Sequence, residues 1–459
     1  MMEFSWKISV LGAALFFSSL VLALNEELAI TNADRAIDVS SQLVKIAHRL
    51  TLSNTGKSAV NSFTFLVAAD AKDDLSFFEA QVSDSKKSLA STRGVDANGN
   101  LAYSITLDKA LEAGQTRKVR VDLVFTHHLK AFPELITQKE KQLVQYRGSA
   151  YLLSPYKVTA QTTKVSLSSS NVESFTKVKP SSQSDSMITY GPYNGVAPMT
   201  TEEFVIHFEN NSPFLSIAPL VRHIEVSHWG NIAVEETIDM YHTGAKLKGS
   251  FSRFEYQREQ SGVSSVKAFK TLLPPSASDV YYRDEIGNIS TSNLREEDDG
   301  VELELRPRFP LFGGWKTHYV VGYNLPSYEY LYNSGDQFVL KMPLIDHVVD
   351  NMVVDETRIR IILPEGATNI ELDAPYDVKR LEDSLHFTYL DTKGRPVIEI
   401  TANNLVEHHI QDFKLSYQLS WITMLQEPLL CVLAFFILFI TAIIYTRLDF
   451  SISKREARK

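Results

Sequence analysis

The sequence predicts a mainly β protein: two tandem β-rich, sandwich-like domains followed by one C-terminal transmembrane helix. Three observations predict it. Apolar and charged side chains alternate with period two in Val119-Arg120-Val121-Asp122-Leu123, Val301-Glu302-Leu303-Glu304-Leu305 and Arg358-Ile359-Arg360-Ile361. That period sends one residue set to each face of a strand. A short pattern recurs at an offset of about 190 residues, as self-similar units in tandem would give. The run Leu429–Thr446 carries no charge.

The N-terminal stretch Ile8–Leu24 is apolar and follows Lys7, and Val21-Leu22-Ala23 offers small residues for cleavage. These features predict a signal peptide, 1–23, cut after Ala23. Glu3 weakens the positive leader, and an uncleaved anchor is the competing reading.

Between leader and helix, turn signals punctuate the alternating runs: Asn54-Thr55-Gly56, Asn98-Gly99, Pro364-Glu365-Gly366 and Lys393-Gly394. One helix is expected over Pro133–Tyr146, with Pro133 at its start and Gly148 past its end. The Ser-rich segment Pro180–Asp185 is expected to be a loop. The repeat is carried by Ile37-Asp38-Val39-Ser40 ahead of Thr55-Gly56, and by Ile224-Glu225-Val226-Ser227 ahead of Thr243-Gly244. Likewise Val165-Ser166-Leu167 leads to Asn171-Val172-Glu173, and Ile361-Ile362-Leu363 leads to Asn369-Ile370-Glu371. A duplication follows, with its boundary near Pro213–Ala218 and domains at 24–215 and 216–425. Chance likeness between strands of similar composition is the competing account.

The predicted span, 428–446, opens at Pro428, whose missing N–H costs nothing in the first helical turn. At about 1.5 Å per residue its uncharged run covers about 27 Å, close to the thickness of an ER-type bilayer. The tail, 447–459, carries a net charge of +3. By the positive-inside tendency it is cytosolic and everything before the span lies on the other side, a type I topology. Trp421 and Tyr445 sit where interfacial anchors are expected.

The chain has a net charge of −9; with +3 in the tail and none in the leader, the intervening part carries −12. That balance argues against nucleic acid, whose phosphates need a basic face. The single cysteine, Cys431, falls inside the span, so no internal disulfide can form. It reads as an apolar filler, with palmitoylation the alternative. Two glycosylation sequons are present: Asn288 in a polar stretch after Gly287, and Asn210, closely followed by Pro213 and the less favoured of the two.

No signature of catalysis emerges: no HExxH, no GxSxG, no Walker loop and no GxGxxG. No cofactor, metal or catalytic residue is assigned. Of the histidine pairs His127-His128 and His408-His409, neighbours on a strand point to opposite faces and do not readily share an ion. Both pairs read as surface or interfacial histidine. The acidic run Glu296-Glu297-Asp298-Asp299 reads as a solvated loop before Gly300. Aromatic residues concentrate at Phe309, Trp315, Tyr319, Tyr323, Tyr328, Tyr330 and Tyr332. Rings in such density build either a core or junction cluster or a partner-binding face.

Longer motifs carry a family resemblance. They include Gln138-Lys139-Glu140-Lys141-Gln142, Asn171-Val172-Glu173-Ser174 and Glu209-Asn210-Asn211-Ser212-Pro213-Phe214. They continue through Ile224–Ile232, Tyr282–Thr291 and Phe309–Tyr332 to Leu425-Gln426-Glu427-Pro428-Leu429-Leu430 and Arg447-Leu448-Asp449-Phe450-Ser451. In these stretches the chain resembles the ribophorin I family, accessory subunits of the ER oligosaccharyltransferase complex. The resemblance implies a non-catalytic, single-pass ER membrane protein with two β-rich luminal domains. The complex moves an oligosaccharide from a dolichol-pyrophosphate carrier to Asn in Asn-X-Ser/Thr. The catalytic site and its metal are expected in another, polytopic subunit. Implied partners are the other subunits, the translocon, nascent glycoprotein substrates and the ER membrane. Animal members of the family carry a longer cytosolic extension than the stretch ending at Lys459. The tail shows no dilysine or KDEL-type signal, so ER residence is expected to depend on assembly. A cell-surface receptor or adhesion protein with tandem β domains is the alternative, and a membrane-anchored luminal hydrolase a third reading.

Overall fold

The computed structural model describes residues 27–448, apart from 84, 86, 260–262, 299 and 389. The expected signal peptide and all but the start of the tail lie outside the described residues. The fold is mainly β, as the alternation predicts. Two large sheets dominate, and their strand orders correspond.

In the first, the antiparallel hairpin Leu28–Val39 and Val44–Asn54 lies at the centre. Val158–Leu167 joins Leu28–Val39 in parallel, and Met187–Val196 pairs antiparallel with Val158–Leu167. On the other side come Thr116–Phe125 and then Leu75–Val82. The second sheet repeats each step. Its central hairpin is Leu215–Val226 with Asn231–His242, flanked by the parallel strand Val353–Ile362 and then by Arg395–Leu405. Beyond Asn231–His242 lie Lys316–Pro326 and Ser278–Asp284. The Ile-Asp/Glu-Val-Ser pattern ends the same strand in both sheets, and a register irregularity falls at matching places, beside Ile30 and Ile217.

Smaller sheets also correspond. Val172–Phe175, Glu203–Glu209, Leu143–Ser149 and Leu129–Ala131 form a four-stranded sheet in one half. Thr368–Asp373, Asp412–Gln418, Gln337–Pro343 and Leu331–Ser334 form its counterpart. Three-stranded sheets around Leu101–Leu111 and Gly300–Leu305 complete the sets. Large and small sheets bury their alternate residues against one another. One apolar core runs from Leu28 to Phe214 and another from Leu215 to Leu419.

Among the described residues no large sheet is shared between the halves; one short parallel pairing, Leu135–Ile136 with Lys246–Leu247, crosses between them. A small apolar cluster of Leu43, Val124, Val353 and Val406 fills the junction. Around it, Gln42 Nε2 donates to the carbonyls of Leu215 (2.9 Å) and Asn351 (2.6 Å). Gln142, fully buried, donates to Asn210 O and accepts from Ala245 N, both at 2.9 Å.

Three local expectations are corrected. Pro133–Tyr146 is not a helix: Leu143–Ser149 is a strand, in register with Glu203–Glu209 along its whole length. Its alternation of burial, with Val144 and Tyr146 inside, outweighs local helix propensity. The Ser-rich segment contains an edge strand, Ser181–Ser184, paired with Met187–Val196. Of the acidic run, Glu296 and Glu297 belong to the exposed edge strand Asn293–Glu297 and Asp298 turns, while Asp299 lies outside the described residues. Edge strands with polar side chains need no apolar face, so alternation cannot reveal them.

The apolar helix spans Gln426–Arg447, and no residue of it is buried by the rest of the chain. It begins two residues before Pro428, which still falls in the first turn. Its N-terminus is clamped to the second half. Arg395 donates to Glu225 and Glu427, both at 2.9 Å, and Gln426 Nε2 donates to Glu365 Oε2 at 2.7 Å. Gly366, at φ 87°, lies so close to Thr423 that a Cβ would stand 2.8 Å from its methyl group.

Candidate partner surface and glycosylation site

The seven aromatic residues singled out from sequence do not form one surface. Tyr319 and Tyr323, at 1% and 2% exposure, follow the core reading and belong to the second core, not to a partner face. Both lie on Lys316–Pro326 and point inward by strand alternation. Tyr319 packs edge-on against Tyr282 at 5.6 Å. Tyr323 donates to Asp346 and receives a bond from Arg222 at 3.3 Å.

The other five divide between the two ends of that strand. Before it, exposed Phe309 and half-buried Trp315 meet at 5.9 Å, and Trp315 continues to Phe251 and Phe312. Beyond it, Tyr328 and Tyr332 are exposed and Tyr330 is half-buried, its hydroxyl 3.0 Å from that of Ser276. Ser327 N donates to Gly230 O, which puts Tyr328 beside the hairpin turn bearing exposed Trp229. That turn borders a pocket shared with Thr423, Gln426 and Glu427 at the start of the apolar helix.

The sequons separate clearly. Asn288 is exposed, in a two-residue strand paired with Arg283–Asp284. Asn210 is fully buried; its Nδ2 donates to Ser41 O at 3.1 Å, while its Oδ1 accepts from the backbone and hydroxyl of Ser212. A glycan on that nitrogen would break the contact and force open the junction.

Both histidine pairs fall at the junction between halves and outside strands, His127-His128 in a loop and His408-His409 in the short 3-10 helix Glu407–His409. His127 bonds Asp355 at 2.6 Å, and that bond raises its pKa. His128 reaches Asp74 at 3.2 Å. His408 stacks on Phe77 at 4.4 Å, while His409 Nδ1 accepts from Val406 N at 3.1 Å. Burial holds His409 down to about 4. Among the described residues, no group of three or more His, Cys, Asp and Glu is arranged to hold a metal.

Two buried arginines went unnoticed in the sequence. Arg222 is wholly buried between Glu236 (2.5 Å) and Asp346 (2.7 Å). Burial pushes the Glu236 carboxyl up to about 7, against the pull of Arg222. Arg35 occupies the matching place in the first half. Each stands two residues before the repeated Ile, so extending the Ile-Asp/Glu-Val-Ser pattern backwards would have found the pair.

These features define a mainly β protein with a repeated architecture and one apolar helix long enough to cross a membrane. The chain matches the Ribophorin I family over residues 28–446, and it belongs to that family. It is 42% identical to the dolichyl-diphosphooligosaccharide–protein glycosyltransferase subunit 1 of Caenorhabditis elegans, covering 93% of this chain and 73% of that one. It is 38% identical to subunit 1B of Arabidopsis thaliana, covering 98% of each. A likeness to the solved leukotriene A4 hydrolase of Saccharomyces cerevisiae, with a TM-score of 0.28 and 12% identity over 42% of this chain and 30% of that one, is too slight to bear on fold or function.

Proposed function

We propose that this chain is a non-catalytic subunit of the oligosaccharyltransferase complex. The complex transfers a preassembled oligosaccharide from a dolichol-pyrophosphate carrier to Asn in Asn-X-Ser/Thr of nascent proteins in the ER. The carrying observation is the extent of the match: relatives named as subunit 1 of this glycosyltransferase align over nearly the whole chain. Catalysis is left to a polytopic partner subunit. This chain's contribution is assembly and the presentation of substrates beside the translocon.

In this reading Gln426–Arg447 spans the ER membrane once and the β-rich bulk is luminal, in two domains, 24–215 and 216–425. The corresponding strand orders and the two cores support that division. Asn288 is the glycan acceptor. Phe309, Trp315, Tyr328, Tyr330 and Tyr332 contribute to partner contacts, because aromatic side chains are enriched at interfaces. Affinity purification in mild detergent tests the function. Other subunits of the transferase should co-purify; a chain that returns with plasma-membrane proteins, and labels at the surface of intact cells, overturns the proposal.

A further inference from the structure

We propose that the first half binds a small organic anion, an oxyanion carried on an aromatic or aliphatic body, in the cavity between its sheets, with Arg35 as the countercharge. The cavity is about 760 Å³ and takes lining residues from all three sheets of that half. Cavities of roughly 300–1,000 Å³ suit small-molecule ligands. Ile46, Phe65, Leu123 and Phe125 give it an apolar wall, and Arg35 and His48 stand among them as polar groups.

Arg35 is 8% exposed and His48 2%. One guanidinium nitrogen of Arg35, Nη1, donates to Ser149 O (2.8 Å), Ala150 O (3.3 Å) and Thr163 Oγ1 (3.4 Å), all of them neutral acceptors. Its Nε and the Nδ1 of His48 meet no protein partner, and Arg35 forms no ion pair among the described residues. A buried charge without a counter-ion is costly. Burial lowers the Arg35 pKa only to about 10, so the charge persists at neutral pH. His48 is held well below its ordinary value by burial and by Arg35, and is neutral.

The second half supplies the comparison. Arg35 lies opposite His48 across the central hairpin, and Arg222 lies opposite Glu236 at the corresponding place. On the parallel strand the opposing residues are Thr163 and Ile359. The second arginine is neutralised internally by Glu236 and Asp346. The first has the same position without either carboxylate, and faces a cavity. The missing negative charge is therefore what a ligand would bring. Lys130 and Arg147 in the lining are offset by Asp70, Asp74 and Glu203, with Asp74 engaged by His128 at 3.2 Å, so selectivity for an anion rests on the buried Arg35 alone.

The full chain in phosphatidylcholine nanodiscs is tested by saturation-transfer NMR with three probes: 3-phenylpropionate, phenyl phosphate and uncharged 3-phenylpropan-1-ol, with empty nanodiscs subtracted. At least one anion should bind, and the preferred anion tells carboxylate from phosphate. The alcohol should bind at least tenfold more weakly. Arg35→Gln should weaken the preferred anion at least tenfold while keeping the melting transition. Ala71→Trp, which narrows the cavity and leaves Arg35 intact, should do the same and decides the matter if Arg35→Gln does not fold. Binding of neither anion, equal binding of the alcohol, or unchanged affinity in the folded variants overturns the proposal.

Discussion

Arg222 brings one positive charge into a site with two carboxylates and no solvent, so its removal leaves Glu236 and Asp346 facing each other inside the core. Breaking a buried pair on one side costs about 3–5 kcal/mol. Arg222→Met should therefore lower the unfolding midpoint sharply in thermal or denaturant melts, and adding Glu236→Gln should restore part of the loss. His409 sets a pH dependence of the opposite origin. Its folded pKa of about 4 lies below the ordinary value of 6.5. Between those values the unfolded chain takes up a proton that the folded chain refuses, so stability falls as pH falls. From pH 6.5 to pH 4 the wild type should lose about 2 kcal/mol more than His409→Gln, after allowance for partial exposure. The His127–Asp355 pair responds the other way: its raised pKa favours folding at low pH and fades as pH rises, but it is common to both proteins and cancels in the difference. At the proposed glycan acceptor, Asn288→Gln should remove the mass of one glycan on a denaturing gel. Unchanged mobility would mean the site is unused. Asn210→Gln should leave mobility alone yet weaken the junction, because it displaces a buried amide.

At the scale of elements, the sequence was most legible where one face of a strand is buried. Val119–Leu123 and Arg358–Ile361 alternate because each packs one face on a core, and the structure keeps both as strands. The hairpins behind the Ile-Asp/Glu-Val-Ser echo were visible for the same reason. Leu143–Ser149 was misread because its partner, Glu203–Glu209, lies some sixty residues away and leaves no local mark. Ring density carries no direction, so the aromatic stretch leaves core and partner face undivided; alternation along Lys316–Pro326 sends Tyr319 and Tyr323 inward. The cavity behind Arg35 had no signal of its own, being made by residues from three sheets. Between the halves, Gln142 joins Asn210 to Ala245 with both ends of its amide. Gln142→Ala should cost about 1–3 kcal/mol, the penalty for stranding buried polar groups. Differential scanning calorimetry should show the loss, and a split into two transitions would identify this amide as part of what makes the halves melt together.

For the molecule as a whole, the clamp at Arg395 has a mechanical consequence. Only Leu419–Leu425 separates the last strand, Asp412–Gln418, from the apolar helix, and even this segment carries the short helix Trp421–Met424. Arg395 then bridges Glu427 of the helix to Glu225, and Gln426 fastens the helix end to Glu365. A helix in a bilayer adapts to the thickness of the lipid by changing its tilt. Here a tilt cannot be absorbed at a hinge, so it passes into the sheet above. The hairpin strand Asn231–His242 is twelve residues long, or about 40 Å at 3.3 Å per residue. A lean of about 10° would carry its far end sideways by about 7 Å, roughly the spacing between two residues of an extended chain. The second half thus behaves as a rigid mast stepped in the membrane, and bilayer thickness becomes one of the coordinates that decide where its outer edge stands.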